Sequence, residues 1–373
     1  MRGYTVVIGI CAITLILIGS LLVMSASSTF SDNKFDDPFY LFNSHFLKAM
    51  LGVVLMIIIT FIDYKWLKPF AEIGLIVSIL FLIAVFFTAQ QMKGAQRTLD
   101  FGLFAFQPTE LAKLSLFIFL AKYLEMNHEV ITDFKQGIMV PLLITGLVAG
   151  LIFTQPNVSN GTLIIAVVIT TLFVAGMNLK HFVLMFASAV VAILSVALLH
   201  PHSNKRISNY LSQLTGDSLP HPQVLQSYYG MGTGGLLGVG LGNSNQRNLF
   251  LPEAYGDFIF AVAGEEGGMF LSVVILVCYS AILFCGFAIA AKANDKFGQI
   301  LAFSISFSLC LYGFVNAAVA TGLVPVTGLP LPLISHGGTA IVIVCLSIGI
   351  LMSIGINTKI ERIEDEETKQ AVA

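Results

Sequence analysis

The feature that most constrains this chain is a series of long apolar runs that recurs from one terminus to the other. A helix needs about 20 consecutive apolar residues to cross a bilayer. Runs near that length occupy residues 5–25, 46–64, 69–88, 109–124, 137–154, 161–177, 180–199, 258–290, 297–321 and 338–357. Only helices and closed barrels satisfy their backbone hydrogen bonds in lipid, so we predict an all-α, polytopic membrane protein with about ten transmembrane helices.

Composition supports the same class. Of 373 residues, 56% are hydrophobic and 11% are charged, and the mean hydropathy is +0.88, which no ordinary soluble domain matches. The net charge of −2 and the lack of a basic stripe interleaved with aromatics argue against nucleic acid as a partner. The cysteines lie within predicted spans without metal-ligand spacing, so neither disulfides nor a zinc site is predicted.

Positive charges predict the orientation. An even number of spans places both termini on one side of the membrane, and the short connections there carry Lys65, Lys68, Lys135, Lys180, Lys292 and Lys296. Short basic connections mark the cytoplasmic side, so we expect a multi-pass protein of the cytoplasmic membrane with both termini inside. The membrane domain is then 1–358, with a tail at 359–373 and a large extracytoplasmic loop at 200–257, between the seventh and eighth spans.

The stretch FQPTELAKL, 106–114, begins the fourth span with a proline that suits the first turn of a helix. Glu110 and Lys113 are three residues apart and therefore share a helix face. Two roles are open: an ion pair that holds two helices together, or a contact of Lys113 with an anionic substrate in a cavity.

The stretch TGLVPVTGLPLPLISHGG, 321–338, is mostly apolar, yet its prolines and glycines prevent a continuous helix. Non-helical backbone at membrane depth must be buried in protein or line a wet cavity. It is predicted to be a folded-in outer loop, the alternative being a rigid connector between two spans.

The stretch LPEAYGDFIFAVAGEE, 251–266, sets carboxylates against an apolar run, and carboxylates near hydrocarbon are costly. Asp257 is either the N-cap of the eighth span or a chemical group, whereas Glu265 and Glu266 are expected to have structural roles. Just upstream, the glycines at 230, 232 and 235 fit the dinucleotide pattern, but no strand precedes them, so we expect them to allow close packing instead. By this topology these segments and GAQRTLDFG, 94–102, emerge together at the outer face.

Read in order, FQPTELAKL, then LQSYYGMGTGGLLGVGLGNSNQRNLFLPEAYGDFIF, then TGLVPVTGLPLPLISHGG resemble the SEDS family of FtsW, RodA and SpoVE, over nearly the whole chain. The stretch GVGLGNSNQRNLFLPEA is more similar to the FtsW branch. The resemblance implies a peptidoglycan glycosyltransferase of cell division or elongation that polymerises lipid II, an undecaprenyl-pyrophosphoryl disaccharide-pentapeptide, together with a class B penicillin-binding protein.

The resemblance also implies that Asp257 is catalytic and that Glu110 and Lys113 belong to the family's paired motif. One inversion at the anomeric carbon needs one general base, and the pyrophosphate leaves once its charge is neutralised. Candidates for that neutralisation are Arg206, Arg247, Lys113 and a divalent cation such as Mg²⁺. Arg97 and His336 complete the predicted substrate-binding set.

The chain departs from the family pattern at Thr98, Asn157, Gly256, Tyr312 and His336. These departures bear on substrate contacts and regulation, and they leave the proposed base in place. Two other functions stay open at this stage: a flippase that translocates lipid II, and a non-catalytic scaffold for division or elongation proteins.

Overall fold

The computed structural model describes residues 2–88, 98–100, 105–155, 157–199, 201–216, 219–246, 251 and 254–372. The helices are α1 Arg2–Phe35, α2 Tyr40–Thr60, α3 Ala71–Thr88, α4 Pro108–Met126, α5 Met139–Thr154, α6 Val158–Val174, α7 Leu179–Leu199, α8 Pro201–Thr215, α9 Pro222–Gly234, α10 Ile259–Glu266, α11 Gly268–Lys292, α12 Lys296–Ala320 and α13 Ala340–Val372. A 3₁₀ segment, Tyr64–Phe70, precedes α3, and a π-helical turn, Phe134–Ile138, precedes α5. Strands β1 Leu99–Asp100 and β2 Ala105–Phe106 form a short antiparallel pair.

Within the described part of the chain, eight helical stretches are long and apolar enough to cross a membrane. The other two predicted positions are filled by α4, which carries charges at both of its ends, and by α6, which has 17 residues. The all-α, multi-pass architecture is therefore confirmed. Helix α12 lies at the centre and packs against α4, α6, α11 and α13.

The prediction of one continuous span over 258–290 is wrong, because the chain breaks into α10 and α11 at Gly267 and Gly268. Gly268 has φ +66°, a left-handed conformation that favours glycine. The first amides of α11 then bond outside the helix: those of Met269 and Phe270 donate to carbonyl oxygens of residues 235 and 236, at 2.9 and 3.2 Å. The turn after α9 thus caps α11.

The long segment 200–257 contains two helices, α8 and α9, that the sequence pattern did not predict. Helix α9 packs against α10, and a side chain at Gly234 would collide with the carbonyl oxygen of Gly264. Of the three glycines predicted to allow close packing, a Cβ at Gly230 would lie 3.0 Å from Gln246, whereas nothing lies within 4 Å of one at Gly232 or Gly235. Gly235 is favoured instead by its φ of +55°, and the close backbone approach is at Gly234.

Successive membrane-spanning helices run in opposite directions, so the bundle has two distinct ends. At one, which we name the opposite end, Tyr64 Oη donates to Asp295 at 2.9 Å and Ser353 Oγ donates to the Ile62 carbonyl at 2.5 Å. At the other, the site end, α1 and α12 finish while α2, α4, α6 and α10 begin. The site end also holds residues 321–339, here named the connecting segment, which is irregular as predicted.

Candidate functional site

The turn that carries Asp257 is tied to α12 by one amide side chain. Asn316 Nδ2 donates to the Asp257 carbonyl at 2.8 Å and to the Leu329 carbonyl at 2.7 Å. A single side chain therefore joins the end of α12, the turn before α10 and the connecting segment. This network fixes the backbone from which the Asp257 carboxylate projects.

Two more residues of the connecting segment hold the same turn. Ser335 Oγ donates to the Gly256 carbonyl at 2.7 Å and accepts from the Leu331 amide at 2.7 Å. The His336 amide donates to the Tyr255 carbonyl at 3.0 Å. Each carbonyl from residue 255 to 257 thus accepts a hydrogen bond, and the turn is held as a unit.

The Asp257 carboxylate and the Arg206 guanidinium face the same glycine. The point at which Gly328 would carry a Cβ lies 3.2 Å from Asp257 Oδ2 and 3.8 Å from Arg206 Nη1. Gly328 has φ +69°, so a side chain here would be strained as well as crowded. An acid and a permanent cation therefore both lie within 4 Å of one point over bare backbone.

The alternative role of Asp257 as a helix N-cap is not the arrangement observed. The N-cap of α10 is Phe258, and its side chain makes no capping hydrogen bond. Asp257 lies one residue earlier and is half-buried. Its negative charge adds to burial in raising the pKa of the neighbouring Tyr255 phenol.

Arg206 reaches this point from the exposed face of α8. Its Nη1 donates to the Val326 carbonyl at 3.3 Å, and one turn later Tyr210 Oη donates to the Leu323 carbonyl at 2.7 Å. Helix α8 therefore lies along the first half of the connecting segment. Burial, followed by the positive charges of Arg206 and Lys205, lowers the pKa of His221 at the start of α9.

Glu110 and Lys113 form the predicted pair on one face of α4. Lys113 Nζ lies 2.6 Å from Glu110 Oε2 and 4.1 Å from the centre of the Tyr312 ring on α12. The ion pair is made within α4, so it is not the bridge between two helices that we had considered. The contact between helices is instead the cation–π contact of Lys113 with Tyr312.

Cavities lie on both sides of the connecting segment. One, of about 180 Å³, is lined by Arg206 with Ser159, Thr162, Val315 and Thr327. Another, of about 30 Å³, is lined by Lys113 and Tyr312 together with Leu114, Phe117, Leu309 and Ile348. The lining of the second is mainly aliphatic and aromatic, and Lys113 supplies its cation.

Glu265 and Glu266 have the structural roles expected of them. Glu265 accepts from the amides of Asn245 at 3.0 Å and Gln246 at 3.3 Å, and from Ser244 Oγ. Glu266 accepts from Ser25 Oγ of α1. Glu265 thereby orders the chain that leads from α9 back toward the site.

His336 is packed among aromatic rings. Its ring centroid lies 5.8 Å from that of His45 and 6.1 Å from that of Tyr255. Burial and the positive charge of Lys48 lower its pKa to about 4. It is therefore a neutral ring at physiological pH, and a contact with substrate stays a prediction.

Arg97 and Arg247, the other predicted substrate contacts, lie outside the described residues. Among the described residues, no three His, Cys, Asp or Glu side chains come together as a metal site. Asp257 is a carboxylate close to Arg206 in this part of the structure, and the divalent cation stays a prediction. The predicted Mg²⁺ enters no step below.

Sequence reasoning missed Asn316 and Ser335 as organisers of the site. A signal for Asn316 did exist, since an amide inside an apolar span is costly unless it is paired. Ser335 gave no such signal, because serine is common in loops. Nothing local in the sequence indicated that Arg206 approaches Val326, 120 positions later.

This chain is similar to known proteins along its whole length. The family described as "Cell cycle protein" (FTSW_RODA_SPOVE) matches residues 5–360. Stage V sporulation protein E of Bacillus subtilis (strain 168) is 34% identical over 347 residues, which cover 92% of this chain and 95% of that protein. Probable peptidoglycan glycosyltransferase FtsW of Geobacter sp. (strain M18) is 33% identical over 357 residues, covering 95% and 97%.

Two solved structures are similar to the fold. A chain from a structure on the coordination of polymerization and crosslinking by a peptidoglycan synthase complex aligns with a TM-score of 0.73 at 25% identity, covering 92% of this chain and 97% of that one. The rod shape determining protein RodA of Thermus thermophilus aligns with a TM-score of 0.70 at 24% identity, covering 94% and 96%.

Proposed function

The chain belongs to the cell cycle protein family of FtsW, RodA and SpoVE, and from that premise we propose that it is a peptidoglycan glycosyltransferase. Its substrate is lipid II, which it polymerises into glycan strands at the outer face of the cytoplasmic membrane. One observation carries the proposal: a carboxylate and a guanidinium, Asp257 and Arg206, face one point over Gly328.

The proposed reaction uses Asp257 as a general base. Asp257 accepts the proton of the acceptor's sugar 4-hydroxyl, and that oxygen attacks the anomeric carbon of the growing chain from the side opposite its pyrophosphate. The bond between the anomeric carbon and the pyrophosphate oxygen breaks, and its electron pair leaves with undecaprenyl pyrophosphate. The α linkage becomes a β linkage, and the proton passes from Asp257 to water.

The leaving group explains why a single carboxyl suffices. A glycosidase protonates a poor leaving group and therefore needs a second carboxyl as the acid. Pyrophosphate leaves as an anion, so it needs a cation instead, and Arg206 lies beside Asp257. The Gly256–Asp257 backbone is fixed by Asn316 and Ser335, so the base is positioned before substrate arrives.

The proposed partner is a class B penicillin-binding protein that crosslinks the strands. Support comes from the likeness to a chain in a complex that coordinates polymerization with crosslinking. For the orientation, we propose cytoplasmic termini and an extracytoplasmic segment 200–257. Single cysteines at Ser212 and Lys135, in a background without native cysteines, are expected to react with impermeant reagents from outside and inside respectively.

The proposal is tested in proteoliposomes that hold the purified protein, lipid II and the matched penicillin-binding protein. Glycan polymer and lipid II translocation are measured side by side. We expect polymer that depends on this chain. Translocation without polymer would contradict the proposal and support the flippase alternative, and neither activity would support a scaffold.

A further inference from the structure

The connecting segment separates two sets of cavities, and each set has its own cation. Its first half, 322–329, lines the cavities that contain Arg206. Its second half, 330–337, lines those that contain Lys113. Asn316 binds the Leu329 carbonyl, at the boundary between the two halves.

A cluster of three buried side chains, Leu163, Tyr312 and Leu329, lies at the same boundary, and we name it the wall. Tyr312 and Leu329 are 2% and 1% exposed and pack together with Leu163 of α6. Lys113 lies over the Tyr312 ring on one side, and Leu163 and Leu329 line the Arg206 cavity on the other. The two cations are therefore held apart by side chains that are buried on both sides.

The reacting group lies on the Arg206 side of this wall. Asp257 Oδ2 and the Arg206 guanidinium share the point over Gly328. Along α12, Asn316, which holds the Asp257 carbonyl, is four residues from Tyr312, or about 6 Å of helical rise. Lys113 is thus displaced from the base by about one helical turn as well as by the wall.

The chemistry of polymerisation places two pyrophosphates at different distances from the base. In the donor, the pyrophosphate is bonded to the anomeric carbon under attack, so its leaving charge develops beside the base. In the acceptor, the attacking hydroxyl belongs to the outer sugar of the disaccharide. Its pyrophosphate is attached to the inner sugar and lies beyond both rings.

Resting on the proposed function, we infer that the Arg206 cavity binds the donor's pyrophosphate and the Lys113 cavity binds the acceptor's. Arg206 neutralises the group that departs when the new carbon–oxygen bond forms. Lys113 holds a pyrophosphate that stays intact, and the apolar lining around Leu114, Phe117 and Ile348 suits its polyprenyl chain. Glu110 occupies one of the three donors of the ammonium, leaving others for phosphate oxygens.

The test uses two analogues of lipid II, each able to take one role. A 4-deoxy analogue lacks the attacking hydroxyl and serves only as donor. An analogue with methylene in place of the anomeric oxygen has no leaving pyrophosphate and serves only as acceptor. Together they give one tetrasaccharide, so KM is measured for each partner separately.

We expect Arg206→Gln to lower kcat/KM for the donor analogue about 10- to 100-fold, the loss typical of one charged hydrogen bond, and to leave the acceptor's KM near that of the wild type. Lys113→Gln is expected to do the reverse. Lys122→Gln, on the same helix at the opposite end, is the matched control and should change neither. Arg206→Lys and Lys113→Arg, which keep the charge, should recover part of the loss.

The assignment would be overturned if Arg206→Gln impaired use of the acceptor analogue while Lys113→Gln impaired use of the donor analogue. It would also be overturned if each variant impaired use of both analogues equally. If a variant turns over too slowly, equilibrium binding of each labelled analogue to the protein in nanodiscs gives the same comparison. The wild type with natural lipid II separates the two levels of failure. If the wild type makes polymer but the two variants show the opposite pattern, only the assignment of the two cavities is wrong. If the wild type makes no polymer, the proposed function is wrong, and the assignment is wrong with it.

Discussion

Helix α4 carries a lysine–carboxylate pair at each end, and the two pairs lie in different surroundings. At the site end, Lys113 and Glu110 are 2.6 Å apart, with side chains 13% and 7% exposed, and the ammonium also lies over Tyr312. At the opposite end, Lys122 and Glu72 are 2.7 Å apart, with side chains 22% and 49% exposed, and they join α4 to α3.

The difference shows how one helix uses the same chemistry for two purposes. An exposed pair is screened by solvent and contributes little to stability. A buried pair has a desolvation cost that its own attraction repays only in part, so burial of Lys113 beside a cavity is best explained by a ligand. At the opposite end, Lys122 and Glu72 contact each other and solvent. At the site end, Lys113 contacts Glu110 and also lines a cavity.

The largest expected effect separates the two lysines by activity. Lys113→Gln should lower the rate of glycan polymerisation at low lipid II about 10- to 100-fold, in step with the expected rise in KM for the acceptor, because one charged hydrogen bond to a bound pyrophosphate is lost. Lys122→Gln should stay within about twofold, because a solvent-exposed ion pair contributes little. Initial rates with purified variants measure both. Equal losses in the two variants would break the comparison.

A second effect uses acid to test the buried histidine at the site end. The pKa of His336 is lowered from 6.5 to about 4, so between these values the unfolded chain binds a proton that the folded chain does not. The free energy of unfolding therefore carries no penalty from His336 above pH 6.5, and it falls as the pH is lowered from 6.5 toward 4. At about 1.4 kcal/mol for each pKa unit, the loss is about 3 kcal/mol.

Thermal unfolding in detergent at pH 7 and pH 4.5 measures this effect. His336→Asn should unfold with a smaller difference between the two pH values than the wild type. His128→Asn, at an exposed histidine near the opposite end, should retain the wild-type difference. Lys48, His45 and Tyr255 surround His336, and the Asn variant leaves all three in place. An unchanged pH dependence would show that His336 is not held neutral.

A smaller effect concerns the carboxylate partners. Glu110→Gln leaves the buried Lys113 without its counter-charge and should lower the free energy of unfolding by about 1–3 kcal/mol. Glu72→Gln removes an exposed partner and should cost no more than about 1 kcal/mol. Chemical denaturation of the two variants decides the order. A larger loss for Glu72→Gln would contradict the inference that Glu110 is the carboxylate whose charge is needed by a buried lysine.

The sequence was sufficient for features that depend on local pattern. Apolar length placed the helices, the spacing of Glu110 and Lys113 put both on one face, and the prolines of 321–338 predicted an irregular segment. The break at Gly267 and Gly268 was missed although EEGG, 265–268, interrupts the apolar run there, because apolar residues resume at once on the far side. What requires the break is the backbone approach of the turn after α9. Helices α8 and α9 were missed because their stabilising contacts are with distant parts of the chain.

The candidate site shows the same difference between features set by local sequence and features set by contacts between distant residues. Asp257 was found because a carboxylate beside an apolar run is costly and therefore conspicuous. Its surroundings were not found, since Arg206, Asn316 and Gly328 meet it only in the folded chain. Contacts between residues that are far apart in sequence leave no periodic signal in either partner.

The central claim, that Asp257 accepts the acceptor's proton, is tested most directly by the turnover rate of Asp257→Asn. The amide has nearly the same shape and cannot accept the proton, so we expect polymer synthesis to fall about 10²- to 10⁴-fold, with thermal stability and binding to the penicillin-binding protein retained. The matched control is Asp295→Asn, at the N-cap of α12, which should polymerise at the wild-type rate. Undiminished polymer from Asp257→Asn would contradict the account.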